Sequence, residues 1–143
     1  MATHVPVFSS TLQKTQAWLA ELAERGNFQD ESQAYTALRA VLHALRDRLT
    51  VEEATDLGAQ LPMLVRGFYY EGYNPSKAPN KERHREEFIR HVQSSLHNAN
   101  ATIDTEAAIM AVFELLSKKV TAGEIDDVRH MMPKDLQDYW PQG

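Results

Sequence analysis

The feature that most constrains the fold of this chain is an internal repeat. When the sequence is displaced by 71 positions, Ala37–Tyr69 aligns with Ala108–Trp140 without a gap. Eight of the 33 aligned positions are identical, whereas about two would be expected for unrelated segments of average composition. The identical positions are Ala37/Ala108, Ala40/Ala111, Val41/Val112, Leu45/Leu116, Thr50/Thr121, Glu53/Glu124, Asp56/Asp127 and Pro62/Pro133. A duplicated structural unit requires such agreement, so the sequence predicts two tandem copies.

The apolar residues of both segments recur at helical spacing, and no stretch alternates as a β-strand does. Two apolar stripes occupy equivalent positions: Leu38, Leu42, Leu45 and Leu49, then Ile109, Phe113, Leu116 and Val120. Each stripe is followed by a threonine with a glutamate three residues later, Thr50 with Glu53 and Thr121 with Glu124. This spacing predicts a capping box at the start of each following helix.

Helix boundaries follow from the capping residues and prolines. We expect helix starts at Ser9 or Ser10, Asp30, Asn80 and Asp104 or Thr105, and short helices after Pro62 and Pro133. An extended lead should precede the first helix, which carries Leu12, Leu19 and Leu22 inward; Tyr35 should extend the stripe of the second. The longer predicted helices run over about 9–25, 31–48, 51–60, 81–97 and 105–119. The short helix opened by Pro62 should present Val65, Phe68 and Tyr69, the seventh helix Ile125, Val128 and Met132, and the helix opened by Pro133 should end in Leu136, Tyr139 and Trp140.

These elements predict an all-α helical bundle of two tandem three-helix repeats plus two short helices, related by pseudo-twofold symmetry. The first repeat is expected at about 9–69, a connector at 70–80 and the second repeat at about 81–141. Because one such unit has a marginal core alone, we expect residues 1–143 to form a single domain with a shared core.

Composition narrows the class of protein. The chain contains no cysteine, which excludes disulfides and cysteine-ligated metals, and its net charge is −5. No apolar run approaches the roughly 20 residues of a membrane-spanning helix, and M-A-T-H-V-P-V-F does not read as a secretory signal. We therefore expect a cytoplasmic protein without a membrane segment.

Several motifs resemble a bacterial family known as domain of unknown function 2267. The most specific are R-L-T-V-E-E-A-T-D-L-G-A-Q-L-P at 48–62 and R-G-F-Y-Y-E-G-Y-N-P at 66–75. E-E-F-I-R-H-V at 86–92, V-T-A-G-E-I-D-D-V at 120–128 and D-Y-W-P at 138–141 continue the resemblance. The family pattern favours Trp where this chain has Tyr73. The resemblance implies a helical bacterial protein and brings no assigned activity, cofactor or catalytic residue.

The connector is the most suggestive functional segment because the repeat does not account for it. Tyr70 and Tyr73 have no counterpart in the second segment, and aromatic residues with polar tips are enriched at interfaces. They either pack over the seam between the repeats or form an interaction surface. The interaction candidates are Tyr70, Tyr73, Glu71, Arg66 and Asn74.

Three side chains near the start of the fifth helix, His84, Glu87 and His91, lie on one helical face and are candidates for a metal site. The expected facing helix offers no histidine, so a solvated charged face is the competing interpretation. The basic residues of this region are interleaved with Glu82, Glu86 and Glu87, so we expect no nucleic-acid binding. The basic residues are Lys77, Lys81, Arg83, Arg85 and Arg90.

No arrangement of residues indicates catalysis. The paired Glu53/Glu124 and Asp56/Asp127 are explained by helix capping and by the helix dipole, and no catalytic triad or phosphate-binding loop is present. The sequence predicts a non-catalytic binding or scaffolding protein that recognises a protein partner or itself, without a cofactor. The alternative is a helical protein that binds a small molecule or a metal in a pocket at the seam between repeats.

Overall fold

A computed structural model describes residues 5–141, and over this range the chain is all-α, as predicted. A 3₁₀ turn covers Pro75–Lys77 in the connector. The α-helices of the described range are α1 Pro6–Arg25, α2 Glu31–Arg48, α3 Val51–Ala59, α4 Met63–Tyr70, α5 Arg85–Asn98, α6 Thr105–Lys119, α7 Ala122–His130 and α8 Lys134–Gln137. None of these helices combines the length and the apolar character that crossing a membrane requires.

Helices α2 and α6 form the centre of the bundle. The predicted apolar stripe of each, Leu38 to Leu49 on α2 and Ile109 to Val120 on α6, is buried. The two helices pack against each other; α2 also contacts α1, α4 and α5, and α6 contacts α1, α5 and α7. The buried side chains form one hydrophobic cluster to which all eight α-helices contribute. Tyr69 and Trp140, at equivalent positions of the two segments, are both buried, and Trp140 stacks on Phe113 with ring centroids 3.9 Å apart.

The two central helices begin where the sequence predicts. Asp30 accepts a hydrogen bond from the Gln33 amide at 2.9 Å, and Asp104 accepts from Ala107 at 3.3 Å. The short helices α4 and α8 follow Pro62 and Pro133, as expected. Local capping chemistry therefore determined these starts.

Two predicted helix starts were wrong. Helix α1 begins at Pro6 rather than after Ser9 or Ser10, because proline is favoured in the first turn of a helix, where no amide donor is needed. Most of the predicted extended lead, residues 1–4, lies outside the described residues.

Helix α5 begins at Arg85 rather than after Asn80. The Asn80 side chain accepts from the amide of Glu82 at 3.2 Å, which makes a local turn instead of a helix cap. The Asn80 amide donates to the Asp47 carbonyl at 2.8 Å, so this segment is held against the end of α2. A long-range contact therefore displaced the predicted helix start.

Candidate functional site

Arg46, on α2, fixes the beginning of the connector. The residue is 5% exposed, and its Nη1 donates to the carbonyls of Tyr69 at 2.7 Å and Glu71 at 2.6 Å. Its Nε donates to Asp47 Oδ1 at 3.0 Å, and the guanidinium lies 5.4 Å from the centroid of the Tyr73 ring. The chain that leaves α4 is thus held against α2 by a buried charged group.

The sequence reasoning missed Arg46, although a signal for it was present. Arg46 follows Leu42 by one helical turn, so it borders the apolar stripe of α2. A charged residue next to a buried stripe must find partners inside the protein. The equivalent position of the second segment is Ser117, whose hydroxyl donates to a carbonyl of its own helix, that of Phe113, at 2.9 Å.

Tyr70 and Tyr73, the main interaction candidates, are both half-buried. Their ring centroids lie 6.1 Å apart, and both side chains pack against the hydrophobic core. The Tyr70 hydroxyl lies against Gly58 of α3, where a Cβ atom would collide with it. The Tyr73 hydroxyl is buried and has no hydrogen-bond partner among the described residues. Each of the two rings therefore packs in part against the core. The interaction surface predicted at these tyrosines stays a prediction.

Arg66, another interaction candidate, connects α3 to α4. Its Nε donates to the carbonyl of Gly58 at 2.8 Å, and its Nη2 donates to those of Ala59 at 3.2 Å and Leu61 at 2.9 Å. These carbonyls lie at the end of α3, where the helix itself supplies no donors. The contacts assign Arg66 a structural role at this turn.

The remaining two candidates, Asn74 and Glu71, differ in their surroundings. Asn74 Oδ1 accepts from the Ser76 amide at 3.1 Å and so begins the 3₁₀ turn. Glu71 is exposed, and its carboxylate accepts from Arg39 Nε at 3.2 Å. Of the two, Glu71 presents a charged group to solvent.

The candidate metal ligands His84, Glu87 and His91 each have different neighbours. Glu87 Oε1 accepts from the amides of Arg83 at 3.0 Å and His84 at 3.2 Å, at the start of α5. These hydrogen bonds, that from Arg83 first, lower the pKa of Glu87. His84 is the residue that precedes α5, and the His91 ring is hydrogen-bonded to Glu82. These three residues stay candidates for metal binding, and no metal site is assigned to them.

His91 lies in a polar cleft of about 400 Å³ between α2, the connector and α5. Its Nδ1 is 3.0 Å from Glu82 Oε2, and its Nε2 is 3.7 Å from Asp47 Oδ2. The hydrogen bond with Glu82 is the main reason why the pKa of His91 is raised. The cleft is lined by Asp47, Gly72, Asn74, Lys77, Ala78, Asn80 and His91. These groups suit a small polar ligand rather than an apolar one.

Two carboxylic acids, Glu53 and Glu124, meet where α3 packs against α7. Glu124 is 9% exposed, and burial, together with the adjacent carboxyl group of Glu53, raises its pKa to about 8. Nearby charges on Asp56 and Asp127 raise this pKa further. The pair therefore holds a proton at neutral pH, because two adjacent buried carboxylates do not both ionise readily.

Of the two predicted capping boxes, the first is formed only by its threonine half and the second was wrong. Thr50 Oγ1 accepts from the Glu53 amide at 3.2 Å, but the Thr121 side chain makes no such cap. Instead, Gln60 Nε2 donates to Thr121 Oγ1 at 3.0 Å, and the Thr121 amide donates to Gln60 Oε1 at 2.9 Å. Because Gln60 satisfies the amide that Glu124 was expected to reach, the Glu124 carboxyl is directed to Glu53.

Glu53, Glu124 and Asp127 form the one grouping of three or more His, Asp or Glu side chains, among the described residues, with metal-ligand spacing. One oxygen atom from each lies within 4.8 Å of the others. Carboxylate oxygens are the ligands of hard divalent cations, but the proton on Glu124 competes with a cation for the same oxygen atoms.

An apolar groove of about 690 Å³ lies between α1, α2 and α4. Leu12, Leu64 and Tyr35 line it and are 44%, 43% and 38% exposed. Leu12 and Tyr35 were expected in the core, and this expectation was wrong. Phe8, one helical turn before Leu12, is 55% exposed and extends the apolar strip. We define the α1/α2/α4 groove by Leu12, Leu19, Tyr35, Leu64, Gly67 and Phe68.

A glycine leaves the α1/α2/α4 groove open. Gly67 lies on α4, and a Cβ atom added there would meet no other atom within 4 Å. Gly67 is therefore not required by packing, and a side chain at this position would project into open space along the groove. Glycine also costs about 1 kcal/mol relative to alanine inside a helix, so α4 bears an energetic cost for this position.

Polar contacts occur at the equivalent positions of the second segment. Tyr35 packs edge-on against Phe68, with ring centroids 5.1 Å apart, whereas Tyr139 donates a hydrogen bond to Glu106 at the corresponding positions. Similarly, Leu64 corresponds to Asp135, which accepts from the Arg85 amide at 3.0 Å. The open apolar groove is therefore a property of the first segment.

No curated protein matches this chain in sequence. The sequence profile of one family matches residues 15–139, which is most of the chain and covers α1 from Thr15 onwards and all of α2 to α8. The chain belongs to the family described as uncharacterized conserved protein (DUF2267).

Proposed function

We propose that this protein is a non-catalytic binding module that receives an apolar helix of a partner protein in the α1/α2/α4 groove. The observation that carries the proposal is the exposed apolar lining, in which Leu12 and Leu64 are each more than two-fifths accessible. Phe8, one helical turn before Leu12 and outside the lining, is 55% accessible. A groove between helices that is lined by apolar side chains is the usual receptor for an amphipathic helix. Covering these side chains would stabilise the complex by about 1 kcal/mol for each half-exposed leucine.

The contrast with the second segment supports the same proposal. A packing defect of the fold would be expected in both segments, but the equivalent positions Glu106, Tyr139 and Asp135 form polar contacts. Large exposed apolar patches on proteins mark interaction sites more often than chance allows.

We also infer that the two segments are copies of one unit, related by a pseudo-twofold axis that passes between α3 and α7. Contacts between the segments are reciprocal. Thr50 Oγ1 lies 3.9 Å from Met131 Sδ, and the equivalent residues Thr121 and Gln60 are hydrogen-bonded to each other. Reciprocal pairing is what twofold symmetry produces. On this axis, Glu53 would meet its own counterpart Glu124.

The helix contacts support this arrangement. Exchanging α1 with α5 and α2 with α6 converts the contact of α1 with α6 into that of α5 with α2, and both are present. We propose a single domain on this basis, and we expect one cooperative unfolding transition in urea. A limited-proteolysis fragment of one segment that stayed folded would contradict it.

Two glycines provide a matched test of the α1/α2/α4 groove. Gly67 and Gly123 both have open space at the Cβ position, but only Gly67 lines the groove. The probe is a fluorescein-labelled synthetic amphipathic helix with leucines on one face and glutamines on the other. Fluorescence anisotropy should show binding to the parent protein and to Gly123→Leu, and binding roughly tenfold weaker or more to Gly67→Leu.

A second pair of variants tests the groove by adding a charge instead of a bulky side chain. Leu64→Lys places a charge in the groove, whereas Met110→Lys changes a side chain of similar exposure, 49%, on α6. Only Leu64→Lys should weaken binding. Equal effects of the paired variants, or no binding to the parent protein, would refute the proposed groove.

The alternative function, a small polar ligand or a metal at the seam between segments, is favoured by the cleft around His91. Asp47 and His91 come from different segments, and the His91 Nδ1 hydrogen bond to Glu82 orients the ring as in many metal sites. Titration with Zn²⁺, monitored by the His91 ring signals in NMR, tests this alternative. If the His91 ring signals do not shift on addition of Zn²⁺, this alternative function is wrong.

The cytoplasmic location and the absence of nucleic-acid binding remain expectations from the sequence.

A further inference from the structure

We infer that the partner helix is basic: it carries two Lys or Arg residues that flank its apolar face and meet Glu31 and Glu71. This inference rests on the proposed function of the α1/α2/α4 groove. Among the described residues that line the groove, the charged ones are these two glutamates. A groove with an apolar floor and carboxylates on its rim is complementary to a helix with an apolar stripe and basic flanks.

Both carboxylates are available to a partner. Glu31, in the first turn of α2, forms no ion pair within the described part of the chain. Glu71 pairs with Arg39, but the two side chains are 57% and 42% exposed. An exposed ion pair contributes little to stability, so a partner cation can share or replace Arg39 without a large loss.

The spacing of the two glutamates sets the spacing of the basic residues on the partner. Glu31 and Arg39 are eight residues apart on α2, which corresponds to about 12 Å along the helix, and Glu71 lies beside Arg39. A partner helix aligned with α2 would match this distance with basic residues about seven or eight positions apart. Leucines at intermediate positions, three or four residues from each end, would then face Leu12 and Leu64.

Charge also argues against two other occupants. The chain has a net charge of −5, so a second copy would bring further negative charge to the acidic rim. An anionic membrane surface would be repelled by Glu31 and Glu71 for the same reason. A basic helix of another protein is the occupant that the charges favour.

The test uses the same labelled peptide in three versions, in which the two flanking positions carry lysine, glutamine or glutamate. At low salt, the lysine version should bind the parent protein roughly three- to tenfold more tightly than the glutamine version, and the glutamate version should bind more weakly still. The double variant Glu31→Gln with Glu71→Gln should remove most of this difference. Glu52→Gln, an exposed glutamate on α3 outside the groove, is the matched control and should retain it. Added salt should reduce the preference for lysine.

The possible results separate this inference from the proposed function. Equal affinity for all three versions, with the loss in Gly67→Leu preserved, would overturn the basic partner and leave the groove intact. Absence of binding by any version would overturn both. Sedimentation that shows a dimer of the parent protein, lost in Gly67→Leu, would overturn the inference because a second copy would then occupy the groove. Co-flotation with anionic vesicles, lost in Gly67→Leu, would overturn it in favour of a membrane surface.

Discussion

The carboxyl group of Glu53 on α3 lies beside that of Glu124 on α7, with an oxygen atom of each within 4.8 Å of the other, where the two helices are in contact. The sequence aligns these residues 71 positions apart, so the same residue of each segment contributes to one carboxyl pair, of which Glu124 is buried and Glu53 half-buried. Like charges brought together in this way retain a proton, which makes the stability of the fold dependent on pH.

We expect the protein to lose stability as pH rises from about 5 to 8. The pKa of Glu124 is about 8 in the folded protein and close to 4.5 in the unfolded chain, so the folded state binds the extra proton between these values. The stabilising contribution is complete below pH 4.5 and is lost as pH rises through the folded value. Glu124→Gln should raise the free energy of unfolding at pH 8 by about 1–2 kcal/mol and flatten its pH dependence. Urea unfolding at several pH values measures this, with Glu52→Gln as the unaffected control.

His91 should titrate above its usual pKa of 6.5, because it is hydrogen-bonded to Glu82. A histidine whose folded pKa is raised stabilises the protein below the unfolded pKa, and this contribution disappears as pH rises through the folded value. NMR titration of the His91 ring gives the pKa directly, and Glu82→Gln should lower it. A value at or below 6.5 in the parent protein would contradict the contacts described for the cleft.

Arg46 should be among the most sensitive positions. Arg46→Met removes the donors to the carbonyls of Tyr69 and Glu71 and the cation next to Tyr73, so we expect a loss of about 3 kcal/mol. Arg39→Met, an exposed arginine on the same helix, should cost less than about 0.5 kcal/mol. In Arg46→Met, amide hydrogen exchange should become faster in the connector than in the rest of the protein. A loss no larger than that of Arg39→Met would mean that the connector is held by other contacts.

Gly58 should not tolerate a side chain. A methyl group at this position collides with the Tyr70 hydroxyl, so Gly58→Ala should lower the free energy of unfolding by about 1–3 kcal/mol despite the better helix propensity of alanine. Tyr70→Phe in the same chain should recover part of this loss, because it removes the colliding oxygen. Gly123→Ala, where the Cβ position is open, is the control and should be neutral or stabilising. Additive effects of Gly58→Ala and Tyr70→Phe would contradict the contact.

Much of the fold was predictable because the contacts that start its helices and the spacing of its core residues are local in sequence. The apolar stripe ending at Leu49 specified a central helix of the core, and Asp30 and Asp104 specified helix starts through contacts three residues away. The two prolines before α4 and α8 acted in the same way. Where one turn of chain contains both partners of a contact, the sequence is sufficient.

The predictions of the second capping box and of the start of α5 were wrong because a residue distant in sequence makes the hydrogen bond that a nearby residue was expected to make. Gln60 occupies the hydrogen bonds that Thr121 and Glu124 were expected to share, and it is 61 residues from Thr121. Asn80 is held by the carbonyl of Asp47, so it did not begin α5. No periodicity contains such information, because it depends on how the helices pack.

The α1/α2/α4 groove was not predictable for a related reason. Leu12 and Tyr35 follow helical spacing as core residues do, and the sequence offers no sign that no neighbour covers them. The functional prediction instead concerned Tyr70 and Tyr73, because only the departure of the connector from the repeat was visible. Glu71 is the residue that the predicted interaction surface and the groove have in common.

Paramagnetic relaxation provides the most direct test of the central claim that the α1/α2/α4 groove receives a partner helix. A nitroxide attached to the lysine version of the synthetic helix should broaden the amide signals of α1, α2 and α4, with the strongest effect near Leu12, Gly67 and Glu31. The same labelled helix should produce no such pattern in Gly67→Leu. Broadening centred on Asp47 and His91, or broadening that is unchanged in Gly67→Leu, would contradict the account.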